Sequence, residues 1–227
     1  MHSTACRFAV TGPLLFMRSR HWLANVAIAL ISAGLIEVCG PIGYSLNPLG
    51  GYLVAVAAQI PLVNAVSTGA SLASATTVQD RYSARNVGAW RLIHYLAMTL
   101  VAGIAVGLAA SALNISSEPE LSSYSGFGAV AEVRNLLAFT GAAFIGASAF
   151  GGAFGWTVPL AWATLPFLLL RGANSDTTGL LTLVIQPDTA FTPMLAAVII
   201  FVVGAALAAS AWSLPESWKL WRGRAVG

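Results

Sequence analysis

VRNLLAFTGAAFIGASAFGGAFGWTVPLAWATLPFLLL, Val133 to Leu170, runs for 38 residues with no charge after Arg134. A helix crosses the hydrocarbon core of a bilayer with ~20 mostly apolar residues. This block is therefore too long for one span and just long enough for two, turning at Gly151-Gly152-Ala153-Phe154-Gly155. The same criterion, applied outward in both directions, places spans at about 22–44, 50–75, 92–113, 133–151, 154–171 and 193–212. The chain reads as an all-α integral membrane protein, a single transmembrane domain of six helices over residues 1–227.

Charge sets the direction of those spans. With the N and C termini both cytoplasmic, Arg7, Arg18, Arg20, Arg81, Arg85, Arg91, Lys219, Arg222 and Arg224 lie inside, nine of the 11 cations. Arg134 and Arg171 fall on the outer side, together with Glu118, Glu120, Glu132, Asp176 and Asp188. This is the bias of the positive-inside rule. Five spans would carry Lys219, Arg222 and Arg224 outside, against that rule. Trp22, Trp90, Trp156, Trp212, Trp218 and Trp221 sit at or near span ends, where indole rings anchor at the interface.

Composition supports the same class. Hydrophobic residues make up 57% of the 227 and charged residues 8%, whereas a soluble domain carries roughly 25% charge. The formal charge of +3 is spread in short clusters between apolar runs, so no basic face for nucleic acid exists. Arg7, Arg18 and Arg20 ahead of the first apolar run resemble a signal peptide, but the run is too long, which favours a retained first span. Cys6 and Cys39 stand one before and one inside that span, which argues against a disulfide between them.

Two segments are not expected to span. Residues 5–21 mix apolar and basic positions around a Gly-Pro break and suit an interfacial helix on the cytoplasmic leaflet. Gly179 to Pro187 is apolar but short, which suits a re-entrant or interfacial piece on the outer face before the last span.

The chain carries little catalytic chemistry. Its one lysine, Lys219, is followed by Leu220, so no Gly-Lys-Ser/Thr phosphate loop exists and no cofactor is implied. His2, His21 and His94 are scattered and make no metal set. Gly146-Ala147-Ser148-Ala149 has a faint likeness to an intramembrane serine protease, but no histidine follows His94 to act as base.

Pathway candidates are Glu37, Gln59, Asn64, Ser67 and Ser71. Glu37 is the acid well inside a span; it is either a substrate or proton site or an interior carboxylate bonded to a neighbouring span. The second span is rich in Gln59, Asn64, Ser67, Thr68 and Ser71, with Pro61 expected to break its ladder in mid-membrane. Its polar face either lines a pathway or packs helix on helix. Gly103/Gly107 and Gly151/Gly155 are small-xxx-small pairs that permit close helix approach. The cytoplasmic loop Asp80-Arg81-Tyr82-Ser83-Ala84-Arg85 is either a solvated charged turn or a docking element for a cytoplasmic partner.

Glu132-Val133-Arg134-Asn135-Leu136-Leu137-Ala138-Phe139-Thr140-Gly141, followed by Gly155-Trp156-Thr157-Val158-Pro159-Leu160-Ala161-Trp162, resembles the membrane subunits of bacterial ATP-binding-cassette exporters. The likeness is greatest to actinobacterial antibiotic or peptide permeases. It covers about 30 residues by motif and the whole chain by topology. It implies a bacterial plasma-membrane protein without its own ATPase, paired with a cytoplasmic ATP-binding subunit that docks at Asp80, Arg81, Tyr82 and Arg85. It also implies a second membrane subunit, identical or related, and an apolar or amphipathic substrate such as a peptide, antibiotic or lipid. The alternative is a stand-alone secondary transporter using Glu37 and the polar second span; internal repeats of the kind common in such transporters are not evident between the two halves. A non-transporting scaffold is the third reading.

Overall fold

The structure is a computed structural model and describes residues 21–39, 43–45, 53–71, 87–116, 128–169, 180–186 and 191–210. Among them are six α-helices: α1 Trp22–Cys39, α2 Ile60–Ala70, α3 Val87–Ser116, α4 Ala129–Phe150, α5 Thr157–Leu169 and α6 Phe191–Ser210. Four of these, α1, α3, α4 and α6, are long and apolar enough to cross a membrane. The chain is thus a multi-pass, essentially all-helical membrane protein. Among the described residues, the strand structure is a short antiparallel ribbon, β1 Gly43–Ser45 against β2 Leu53–Ala55, with Tyr44 opposite Val54.

Several boundaries differ from expectation. The first helix is described over Trp22–Cys39 and does not run to residue 44, since Gly43–Ser45 is a strand. The second begins with a 3₁₀ turn, Val56–Gln59, and becomes α-helical only at Ile60. Pro61 therefore does not break a ladder in mid-membrane. It occupies the first turn of α2, where an amide proton would have no intrahelical acceptor. Helix α3 starts at Val87, inside the stretch expected to be a polar loop, and takes in Arg91. The turn at Gly151–Gly155 is confirmed: Gly151 has φ +94°, a left-handed conformation suited to glycine, and Gly152–Phe154 make one 3₁₀ turn before α5.

The packing fixes the helix directions. Ser67 of α2 bonds Asn25 of α1, while Ile36 shares a core with Ala57 and Ile60, so α1 and α2 are antiparallel. Ala29 packs with Ala102, and Ile36 with Val106 and Ala110, so α1 and α3 are parallel. Gly107 meets Val133, Gly103 meets Leu136, and the Tyr95 ring lies 5.2 Å from Phe144, so α3 and α4 are antiparallel. Gly146 approaches Val158 while Phe139 faces Trp162, so α5 runs against α4. Ala138 packs with Ala197, and Phe144 with Ala205, which sets α6 parallel to α4. Direction alternates along the chain through all six described helices.

Trp22, Trp90 and Trp156 consequently gather at one end of the bundle, the tryptophan end. The ribbon, the 3₁₀ turn Val56–Gln59 and the start of α4 gather at the other, the ribbon end.

Helix α4 is the hub. It touches α2, α3, α5 and α6, and 61% of its spanning window is buried, against 22% for α1 and for α6. It is also the least apolar of the four long helices, with charge at its start and small residues along its length. The two facts share one cause. A helix rich in Ala, with Gly141 and Gly146, gains little from facing lipid but allows close approach of neighbours, so it packs inside a bundle whose outer faces carry the large apolar side chains. Those faces include Leu23, Leu30 and Ile31 on α1, and Ile199, Val202 and Val203 on α6, all exposed.

Candidate functional site

Two polar assemblies occupy the interior, one at the start of α4 and one around its middle. The first is a clamp at the ribbon end. Segment Leu180–Ile185, within the apolar piece expected to be re-entrant or interfacial, is a 3₁₀ helix whose Leu183, Val184 and Ile185 are buried. Arg134 is fully buried beside it. Its Nη2 donates to the Gln186 carbonyl at 2.8 Å and, more weakly, to that of Val184 at 3.5 Å. The guanidinium thereby serves as a C-terminal cap on the 3₁₀ helix, where a cation complements the exposed carbonyls.

Asn135 extends the clamp. Its Nδ2 donates to the Val184 carbonyl at 3.0 Å and to the Ala58 carbonyl at 3.3 Å, and its Oδ1 accepts from Arg134 Nε at 3.3 Å. One side chain therefore ties together the two 3₁₀ segments, 56–59 and 180–185. Non-helical backbone at membrane depth persists only where its carbonyls are satisfied by protein or water, and Asn135 and Arg134 supply that. Arg134 and Glu132, expected among outward-facing charges, are instead enclosed at 0% exposure.

The second assembly is a polar layer nearer the tryptophan end. On α3 the stripe toward α4 is Tyr95, Thr99, Gly103, Gly107; on α4 the matching stripe is Phe144, Thr140, Leu136, Val133. Thr99 and Thr140 lie at the same level of that seam. Asn25 of α1 and Ser67 and Thr68 of α2 reach this level too, since Ser67 Oγ donates to Asn25 Oδ1 and neighbouring Gly69 approaches Ala143. Each of α1 to α4 thus contributes a polar residue to one layer. Asn25, Thr68, Thr99 and Thr140 in it are buried. Asn64, also buried, follows one turn further toward the ribbon end.

The predicted residues divide between these surroundings. Asn64 and Ser71 are buried, Ser67 is half-buried against α1, and Gln59 is half-buried in the 3₁₀ turn. Ser71 Oγ donates to the Thr68 carbonyl at 2.6 Å. Glu37 does not join them. The buried face of α1 is Asn25, Ala29, Ser32 and Ile36, and Glu37 is exposed in the last turn on another face. Asp80, Arg81, Tyr82 and Arg85 lie outside the described residues, as does the proposed interfacial helix up to residue 20.

Sequence reasoning did not single out Thr99 and Asn25, isolated polar residues in apolar helices, and took Thr140 only as part of the resembling stretch 132–141. A signal existed for Thr99: Tyr95, Thr99, Gly103 and Gly107 recur every four residues, the stripe expected of a packed face. The Asn25–Ser67 bond gives a direct test. Asn25→Ala, Ser67→Ala and the pair should show a coupling of about 0.6 kcal/mol in a denaturant cycle in mixed micelles, as for interhelical bonds in other membrane proteins. Strict additivity of the two single changes would show that the bond contributes nothing.

No family model, no curated protein and no solved structure matches this chain.

Proposed function

We propose that the chain is the membrane-spanning permease subunit of an ATP-binding-cassette exporter of a bacterial plasma membrane. In this reading it crosses the bilayer six times with both termini cytoplasmic, and it forms the path for an apolar or amphipathic substrate with a second membrane subunit. The observation that carries it is the construction of α4. The segments whose residues resemble such permeases, 132–141 and 155–162, form the hub helix and the start of the helix folded back on it.

Three further observations support it. The alternating directions of α1 to α6 suit six crossings, with α2 and α5, at 11 and 13 residues, completed by adjoining turns. A neutral polar layer in the interior suits passage of a molecule with hydrogen-bonding groups. The given sequence holds no phosphate loop, which agrees with the reading that ATP-driven work comes from a partner subunit. The stand-alone transporter reading places Glu37 beside the polar second helix, and the exposed position of Glu37 on α1 gives it no support.

The test is co-expression with the ATP-binding subunit encoded nearest to this chain. Copurification in detergent, with ATPase activity altered by the membrane subunit, is the expected result. Failure to copurify, or an ATPase indifferent to it, overturns the reading. Alanine at Arg81 and Arg85 together should weaken the complex at least tenfold if that loop is the docking element.

A further inference from the structure

Several buried or half-buried hydroxyls in this bundle bond a carbonyl of their own helix. Ser111 Oγ donates to the Gly107 carbonyl, Ser148 to Phe144 and Ser71 to Thr68, at 2.6–2.8 Å. Thr99 and Thr140 do not. Their Oγ1 atoms, and Nδ2 of Asn64, are buried and have no hydrogen-bond partner among the described residues. Threonine in a helix can always turn its hydroxyl back onto the carbonyl one turn earlier. Two that decline this option, at one level of one seam, with an unpaired amide one turn away, form a concentrated polar deficit. In a membrane each such group costs on the order of several kcal/mol unless something bonds it.

The surroundings say from which side that partner comes. Toward the ribbon end the space between α1, α2 and α3 is filled by Ile36, Ala57, Ile60, Val106, Ala110 and Leu113, an apolar plug. Toward the tryptophan end the seam of α3 with α4 is closed by Tyr95 and Phe144, whereas on the side of α1 and α2 the buried residues stay polar, with Asn25 in the layer and Ser71, Arg91 and His94 beyond it. Thr99 is nine residues from Trp90 and Asn25 three from Trp22, so the layer lies roughly one to two and a half turns inside the tryptophans.

We propose that Asn64, Thr99 and Thr140 form a water-accessible binding site, entered from the tryptophan end and closed toward the ribbon end by the Ile36–Ile60–Val106–Leu113 plug. The site takes an uncharged hydrogen-bonding group, an amide or a hydroxyl. Its side chains present neutral donors and acceptors; water fills the site when no such group is bound. This goes beyond the permease reading and does not require it, since no partner chain contributes a residue.

The experiment is cysteine accessibility in the full-length chain, with Cys6 and Cys39 replaced by alanine. Thr99→Cys, Thr140→Cys and Val106→Cys are made singly and reconstituted into liposomes of known orientation. Each is exposed to a small, membrane-impermeant, cationic methanethiosulfonate from one side at a time. The expected result is labelling of Thr99→Cys and Thr140→Cys from the tryptophan side, at least tenfold faster than from the other side and than Val106→Cys from either. Ser67→Cys and Thr68→Cys, at the same level, carry the test if a threonine variant does not fold. Absence of labelling throughout the layer overturns the site. Labelling of Val106→Cys at the same rate overturns the plug. Loss of ATPase copurification, by contrast, bears on the permease reading alone.

Discussion

Gly141→Leu is expected to abolish the folded protein, the largest effect of any single change in the bundle. At the crossing of α4 and α6 the two backbones touch through Gly141 and Gly204. A Cβ added at Gly141 would lie 2.6 Å from the Ile200 carbonyl oxygen and 2.7 Å from Cα of Phe201. At Gly204 it would collide with the Gly141 carbonyl. The obstructing atoms are backbone, so no rotamer change relieves them and the helices must separate. Overpacking a core by a methylene or two costs about 1–3 kcal/mol. Gly141→Ala should therefore lower the unfolding midpoint in mixed micelles by about that much, while the leucine variant should elute as aggregate on size exclusion. Gly34 provides the control: it is exposed on α1 with nothing within 4 Å of an added Cβ, and Gly34→Leu should stay within about 0.5 kcal/mol of the parent. Equal behaviour of Gly141→Leu and Gly34→Leu would show that the crossing is not as close as described.

The second large effect is expected at Arg134. Arg134→Leu removes the donor to the Gln186 carbonyl and the partner of Asn135 Oδ1, so that two acceptors lose a donor, while the Val184 carbonyl keeps its bond from Asn135 Nδ2. Each such group costs about 1–3 kcal/mol, and breaking a buried charged network typically costs ~3–5 kcal/mol. A loss of several kcal/mol follows, with amide hydrogens of 180–186 exchanging at least tenfold faster while those of α6 keep their protection. Arg134→Lys should recover only part of it, since an ammonium carries charge without the guanidinium's fork of donors. Unchanged exchange in 180–186 for Arg134→Leu would show that the segment is held by Leu183 and Val184 packing alone.

Much of the architecture was legible because length and hydropathy act locally. The 38-residue block could not be one span, and the structure turns it at Gly151, where a positive φ suits glycine. Trp22, Trp90 and Trp156, expected at or near span ends, lie at or within three residues of the starts of α1, α3 and α5. Pro61 was misread, since a proline's effect depends on whether the helix has already begun, and residues 56–59 adopt a 3₁₀ turn for reasons that lie in α4. The carbonyl of Ala58 is satisfied by Asn135, 77 positions away.

The candidate site was less legible. Asn64, Ser67 and Ser71 were found because polar residues cluster in one short helix, and a cluster is visible in a line of text. Thr99, Thr140 and Asn25 stand alone in three apolar helices and become a layer only when those helices are set side by side. Glu37 drew attention as a carboxylate in a span, yet the rotation of α1 leaves it off the buried face.

For the long apolar block, then, sequence alone determined that it must be two segments, since the bilayer has one thickness and apolar residues have few other places to go. Which of its residues face lipid, which meet Gly204 without a Cβ between, and that Arg134 is enclosed rather than solvated were decided by tertiary structure. Partitioning into a membrane depends on the sum over a segment, whereas burial of a particular side chain depends on the helix that happens to lie against it.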